Sequence, residues 1–464
     1  MALRTHSLLP LIAALTLGVN LPVLAQTAVP KPIEIPYNVK AYPLPGSFDS
    51  APTFNSNSPE IIQEEGILLS SLPDSDTPNS PFLNYAFKGD FSVFAHHIAK
   101  DEQPGQRLLY LGLLATNQSQ EPIRISLKQG ASYLSQPDAL FKKLNAFLPN
   151  PGGKIYAGPG DRVATELVAD QSPFSPTTYE IPPRSTVVLT SLPVPTDVAI
   201  LPPINGRSSL FHFQSDGPVY LSHIAAFAKK EGSSFTPPTL DDYRKILDSR
   251  KLAGPREVAP TAFDPADPPP SAGVRYGRVA GIVAGSRWRG NFFEKTAILQ
   301  MPGPGERAAY PISALYMKRV GTTQNQSGKL LKRYPDTAYQ SHGNYGAQYI
   351  LNIPFNNPGP GYRSYALGFS SPARVEGNGA STRLIYQNPP SNAVMFRGSI
   401  RLEWVDEYQQ RHDELTHLVL RHGEEVPPLA MFTVPPGGRY DMRVSLIYPA
   451  DATPPQVLTI SRFD

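Results

Sequence analysis

Nine histidines and no cysteine set the chemistry open to this chain. Without a thiol there is no disulfide, no thiolate nucleophile and no cysteine metal site, so a metal would fall to histidine helped by a carboxylate. His212 and His223 have the best spacing for it. If Asp216-Gly217 is a two-residue hairpin loop, His212 faces Leu221 and His223 faces Leu210. Both rings then lie diagonally on one sheet face, roughly 7–8 Å apart. With His96 or His97 beside them they would form a metal site. Without a placed carboxylate they fall short of a ligand set, and the plainer reading is strand histidines with hydrogen-bond partners. The segment His412-Asp-Glu-Leu-Thr-His417 narrowly misses a zinc helix. Its spacing of five puts the rings about 140° apart on a helix and on opposite faces of a strand, so it reads as a solvated hairpin. No metal or organic cofactor is expected.

A second group is aromatic. Tyr334, Tyr339, His342, Asn344 and Tyr345 fall within twelve residues beside glycines, and rings with polar tips offer a glycan or a protein partner much contact area at low entropy cost. The alternative is core packing, since tyrosine favours strands. Adjacent acids occur at Glu64-Glu65, Asp241-Asp242 and Glu424-Glu425, but a glycosidase needs two carboxyls about 5–9 Å apart across a cleft, which sequence spacing does not give. There is no G-x-S-x-G elbow, phosphate-cradling loop, EF-hand or H-E-x-x-H. Asn117-Gln-Ser119 and Asn325-Gln-Ser327 match the glycosylation pattern and carry little weight in a bacterial protein.

The elements that must position these residues are mostly strands. Fifty-two prolines in 464 residues leave little room for long helices, each interior proline costing about 3 kcal/mol. Alternation as in Ile123, Ile125 and Leu127 marks sheets with one wet face. Two short helices are expected, one from the capping box Thr239-Leu-Asp-Asp242 running through Tyr243 and Leu247, the other over Pro137 to Phe147. The expected fold is mainly β: two β-sandwich-like domains at 82–254 and 273–464, joined by a proline-rich linker at 255–272 and preceded by a Pro/Ser/Asn-rich arm at 26–81 that adds an edge strand to the first. The halves echo one another. Asn117 to Glu121 resembles Asn356 to Pro360, and Ile181-Pro-Pro resembles Val434-Pro-Pro, at offsets of 239 and 253 residues.

Residues 1–25 read as a secretory signal peptide: Arg4, an apolar run from Leu8 to Leu24, and small residues before cleavage between Ala25 and Gln26. The mature chain is then periplasmic, surface-bound or extracellular, with no transmembrane segment left. Forty-two Lys+Arg against 39 Asp+Glu give no pull toward nucleic acid.

Several blocks resemble an uncharacterised family of exported cyanobacterial proteins: Pro43-Leu-Pro-Gly, Phe54 to Glu60, Val93 to Ile98, Gln129 to Asp138, Tyr276 to Gly281, Tyr334 to Gly346 and Tyr448 to Pro455. The resemblance implies a cyanobacterial source and an envelope or extracellular location, and brings no assigned activity. The functional expectation is a non-enzymatic binding or structural protein for a glycan, surface polymer or envelope protein. The alternative is a polysaccharide or cell-wall hydrolase using carboxylates yet to be paired.

Overall fold

The structure is a computed structural model that describes residues 31–74, 80–198, 203–262, 273–292 and 302–464. The expected leader with its Ala25–Gln26 bond lies outside the described residues, as does 263–272 of the linker. Residues ahead of the first expected domain supply β1 (Ile33–Ala41), β2 (Ser47–Phe48), β3 (Thr53–Ser56), β4 (Ile61–Ile62) and β5 (Gly66–Ser70). Next come β6 (Phe87–Lys100), β7 (Leu108–Asn117), β8 (Ile123–Leu134), β9 (Phe147–Pro149), α1 (Pro159–Val168), β10 (Thr177–Ile181) and β11 (Ser185–Pro195). The long β12 (Ile204–Phe227) leads to β13 (Lys229–Glu231), β14 (Ser234–Thr236) and α2 (Leu240–Ser249). Then follow β15 (Ala280–Val283), β16 (Arg287–Asn291), β17 (Arg307–Ile312), β18 (Gly328–Arg333), β19 (Gln340–Ser341), β20 (Gln348–Asn356) and β21 (Arg363–Ser370). The chain closes with β22 (Arg374–Glu376), β23 (Thr382–Asn388), β24 (Val394–Val405), β25 (Arg411–Arg421), β26 (Ala430–Val434), β27 (Arg439–Ile447) and β28 (Gln456–Arg462).

These strands stack as two β-sandwiches. In the first, the layer β10-β8-β12-β6-β3-β15-β18-β19 faces β11-β7-β12-β5, and Phe54, Phe91, Ile125 and Phe213 pack on Leu69, Leu113 and Leu221. In the second, β22-β23-β1-β17-β28-β21-β26 faces β2-β16-β20-β27-β24-β25-β9, with Tyr310, Tyr365 and Phe369 on Tyr349, Phe355 and Phe396. Burying each such ring is worth about 1.5–3 kcal/mol.

Seven strands correspond one for one between the sandwiches. The runs β10-β8-β12-β6-β3-β15-β18 and β26-β21-β28-β17-β1-β23-β22 are antiparallel at every step except the fourth, β6 with β3 and β17 with β1, which is parallel in both. The same corner holds each together. Asn117 Nδ2 donates to the carbonyls of Glu121, Ile181 and Pro182 at 2.8, 3.0 and 3.1 Å. Asn357 Nδ2 donates to those of Gly361, Val434 and Pro435 at 2.7, 2.9 and 3.1 Å. Sequence matching pairs Asn117 with Asn356; the structure shifts the match by one residue.

The two halves interlock. The segment at 26–81 was expected to lend an edge strand to the first sandwich, and it gives β3 to β5 to that one but β1 and β2 to the second, where β1 lies between β17 and β23. In return β15, β18 and β19 join the first sheet from beyond the linker. Strand pairing therefore crosses the expected boundaries at 82 and 273 in both directions.

Three local expectations meet different outcomes. The helix at 239 forms with its capping box, Thr239 N donating to Asp242 Oδ2 at 2.9 Å and Asp242 N to Thr239 Oγ1 at 3.2 Å, and it buries Tyr243 and Leu247. No helix forms over Pro137 to Phe147. Its apolar stripe has no core to meet, leaving Leu140 and Phe141 exposed, and Phe147 instead starts β9, an edge strand on β25. Nor is Asp216-Gly217 a hairpin turn. There β12 passes from one layer to the other, paired with β8 up to Ser215, with β6 as far as Val219 across a register shift, and with β7 from Tyr220. At this bend the Asp216 carboxylate accepts the Arg124 N–H at 2.8 Å. Glycine is needed next because a Cβ at 217 would stand 2.7 Å from Ile123 Cγ1.

Candidate functional site at the seam of the sandwiches

The helix that sequence reading missed, α1, is the wedge between the sandwiches. Pro159 at its start and Val163, Ala164 and Leu167 on one face are ordinary helix signals, but its first residues lack a side-chain cap of their own. The cap comes from the other half of the molecule: Asp451 Oδ2 accepts the Asp161 N–H at 2.9 Å. Bare backbone is required there, since a Cβ at Gly158, whose φ is +111°, or at Gly160 would lie 2.7 or 3.0 Å from that oxygen. Asp161, wholly buried, accepts the Ala157 N–H at 2.6 Å and His417 Nε2–H from β25 at 2.7 Å. Thr165 Oγ1 donates to Ser399 on β24 at 2.9 Å.

Beside α1 opens a cleft of about 660 Å³. Glu60 and His96 line it from the first sandwich, Gln136 and the exposed Phe141 from the β8–β9 connection, and Arg397 and Asp451 from the second. Arg397 lies 5.5 Å from the Phe141 ring centre, a cation–π distance. Burial, with Arg278 nearby, pushes the His96 imidazole down to about 4, so it is neutral, and its Nδ1 bonds Ser208 at 2.8 Å. Burial raises the Glu60 carboxyl against the opposing pull of Arg278, with which it is ion-paired. Burial and the neighbouring Asp161 carboxylate raise Asp451 to about 6, against the hydrogen bond from the Asp161 amide. Two carboxyls that hold protons more readily than usual thus face one cleft.

Four of the blocks that carry the family resemblance meet here. Phe54 to Glu60 supplies Glu60, Val93 to Ile98 supplies His96 and Ile98, Gln129 to Asp138 supplies Ser135 and Gln136, and Tyr448 to Pro455 supplies Ala450 and Asp451. A fifth block, Tyr276 to Gly281, brings Arg278 onto Glu60. None has a spacing that signals chemistry, and they are brought together only by the pairing of distant strands.

His212 and His223, weighed above as metal ligands, each bond a serine. His212 and His223 sit on the same continuous strand, not across a hairpin. His212 Nδ1 bonds Ser92 Oγ at 2.8 Å, and His223 Nδ1 bonds Ser56 Oγ at 2.8 Å. Ser56 also bonds His97 Nε2 at 3.0 Å, while His97 Nδ1 donates to the Pro59 carbonyl at 2.8 Å. That donation fixes the tautomers in turn: the Ser56 hydroxyl donates to His97, and His223 Nδ1–H donates to Ser56. Burial holds His212 down at about 4 and His223 at about 3. These are neutral, satisfied core histidines, and no group of three or more potential ligands gathers among the described residues. His412 and His417 point to opposite faces of β25 as their spacing requires, the former stacked on Trp404 at 4.5 Å and the latter buried on Asp161.

The tyrosine segment is interior and not a contact surface. Tyr334 is wholly buried, its hydroxyl donating to the Pro81 carbonyl at 2.7 Å and accepting the Ser70 N–H at 3.0 Å. Tyr339 is half-buried under the Arg333 guanidinium, 3.8 Å from its ring centre. The His342 ring packs tilted against Tyr276 at 4.3 Å, and burial lowers it to about 4. Asn344 Nδ2 donates to the Gln326 carbonyl at 2.8 Å. Tyr345 lies in the seam, packed on Phe94 and Tyr448, its hydroxyl on the Ala452 carbonyl at 3.0 Å. None of the five lies in a strand; they pack from the turns around β19.

Comparison with known families matches residues 39–462 to one described as Protein of unknown function (DUF3370). The chain belongs to that family. No curated protein matches the sequence of this DUF3370 member. Among solved structures, pumpkin pro-11S globulin aligns over 87% of this chain and 86% of its own at 10% identity and a TM-score of 0.13. Coconut cocosin aligns over 84% and 86%, also at 10% identity, with a TM-score of 0.12. Scores this low carry neither fold nor function across. Among the described residues of this family member no helix is long and apolar enough to cross a membrane.

Proposed function

We propose that this protein is an exported, non-enzymatic binder of the cell envelope or extracellular space, from a cyanobacterial source, and that it takes a glycan in the cleft at the seam. The observation that supports this is the make-up of the cleft: an exposed aromatic ring, Phe141, set among Glu60, Gln136, Arg397 and Asp451. Sugars present an apolar C–H face for such a ring and hydroxyls for planar polar side chains. Equilibrium binding to purified envelope polysaccharides tests the reading. Phe141→Ala is expected to weaken binding at least tenfold, while Tyr408→Ala, an exposed ring outside the cleft, leaves it unchanged. Equal effects from both, or no binding, would sink it. One observation favours hydrolysis as the second reading, the two raised carboxyls of Glu60 and Asp451. Release of reducing ends that is lost in both Glu60→Gln and Asp451→Asn would replace the first reading with the second.

A further inference from the structure

We infer that the second sandwich carries a pocket of its own for an amphipathic carboxylate, a short acyl chain seated on an apolar floor with its carboxylate held at a basic rim. The pocket, of about 470 Å³, lies between the β17–β18 connection, the turn from β21 into β22, and the residues that enter β24 and β28. Small-molecule sites run to about 300–1,000 Å³. It shares no lining residue with the seam cleft, so its ligand is a question separate from the glycan.

Apolar side chains form the bottom and the walls. Val320 and Val457 are buried, and Met317, Met395 and Val375 stand half-buried beside them. Unbranched thioether side chains adapt their shape to an apolar guest, whereas the backbone around them is fixed. Leu315 and Lys318 exchange N–H···O bonds at 3.0 and 3.1 Å, the Gly379 N–H reaches the Gly321 carbonyl at 2.8 Å, and Arg319 Nε donates to the Tyr316 carbonyl at 2.9 Å. The pocket is therefore formed before a ligand arrives.

The charges at its opening have one sign. Lys318, Arg319 and Arg374 line it, and no described acid does. Arg374 is matched from outside the pocket by Glu34 and Glu376, and the nearby Glu424 carboxylate turns to the Arg421 N–H. Among the described residues no carboxylate pairs with the exposed Lys318 or with Arg319, whose guanidinium donates to the carbonyls of Tyr316 and Thr323. Two cations without a counter-ion above an apolar floor favour a ligand with both parts. A bare anion leaves the floor uncovered, and a neutral chain leaves the cations unmatched. A planar carboxylate suits the guanidinium fork.

Calorimetric titration of the full chain with octanoate, 1-octanol and acetate tests this. Octanoate should bind once per chain, and octanol and acetate at least tenfold more weakly. Lys318→Glu should weaken octanoate binding at least fivefold, and Met317→Trp, which fills the pocket, should abolish it. Phe141→Ala, in the seam cleft, should leave it unchanged. No saturable octanoate binding, octanol binding as tightly as octanoate, or octanoate binding that falls in Phe141→Ala and not in Lys318→Glu would overturn the pocket. Should Met317→Trp fail to fold, Lys318→Glu decides, an unchanged octanoate affinity there counting against the pocket. A chain that takes octanoate but no polysaccharide would sink the glycan reading and keep this one.

Discussion

In the second sandwich Thr459 of β28 faces Ala309 of β17. The equivalent place in the first, by the shared strand order, holds His212 facing Ser92. The fold accepts either pair, so the histidine answers no demand of the architecture. The same contrast extends through the two interiors. Aromatic and aliphatic side chains from Trp288 to Tyr448 fill the second, whereas the first carries two buried histidine–serine contacts, one of them extended to a second imidazole. Shared features, such as the asparagine corners, are therefore the ones that hold the fold. Features without a counterpart in the other half, such as α1, and the cleft where the two halves meet are where a specific role can be sought.

The largest test of this comparison is to remove residues up to Ala41. That deletes β1, the strand joining β17 to β23, and it should abolish protease resistance of the second sandwich although the deleted residues precede the first. Survival of both sandwiches would break the correspondence between β1 and β3. Next in size, Phe355→Ala and Phe213→Ala remove wholly or nearly buried rings from the two cores, and each should cost about 3–5 kcal/mol in urea unfolding.

A smaller effect depends on pH. His212 is lowered in the folded state from 6.5 to about 4, so the unfolded chain takes up a proton that the folded one refuses. Its contribution is whole above pH 6.5 and is lost as pH falls toward 4, at about 1.4 kcal/mol per pH unit. His212→Thr, copying the second half, should remove one proton's worth of that slope from unfolding midpoints measured between pH 4 and 7. An unchanged slope would mean the imidazole is already charged in the fold. Smallest, Asn117→Ala and Asn357→Ala should each cost about 1–3 kcal/mol by stranding three carbonyls. Similar losses of thermal stability sharpen the equivalence of the corners, and a cost confined to one half breaks it.

What could be read in advance was local or periodic. The capping box at Thr239, the β-rich class and the echo between the halves rest on turn chemistry and alternation that neighbouring residues supply. Asp216-Gly217 shows the limit of this: the dipeptide suits a hairpin, yet a passage between layers uses the same backbone freedom. The α1 cap was invisible because the carboxylate providing it stands 290 residues away. Phe141 looked like part of a helix because its stripe was apolar, and it is exposed because no core lies against it. Glu60, His96 and Asp451 belong to no motif, and they meet only because three distant stretches of chain do.

The placement of β1 also governs when the protein can be finished. Its partners are Ala308 and Ala309 on one side and residues from Thr382 to Asn388 on the other. A chain emerging from the ribosome carries this strand first and must keep it unpaired until most of the remaining sequence has been made. Contacts of such sequence separation form slowly. The nascent molecule thus leaves β1 without its sheet partners until β17 and β23 have both been made.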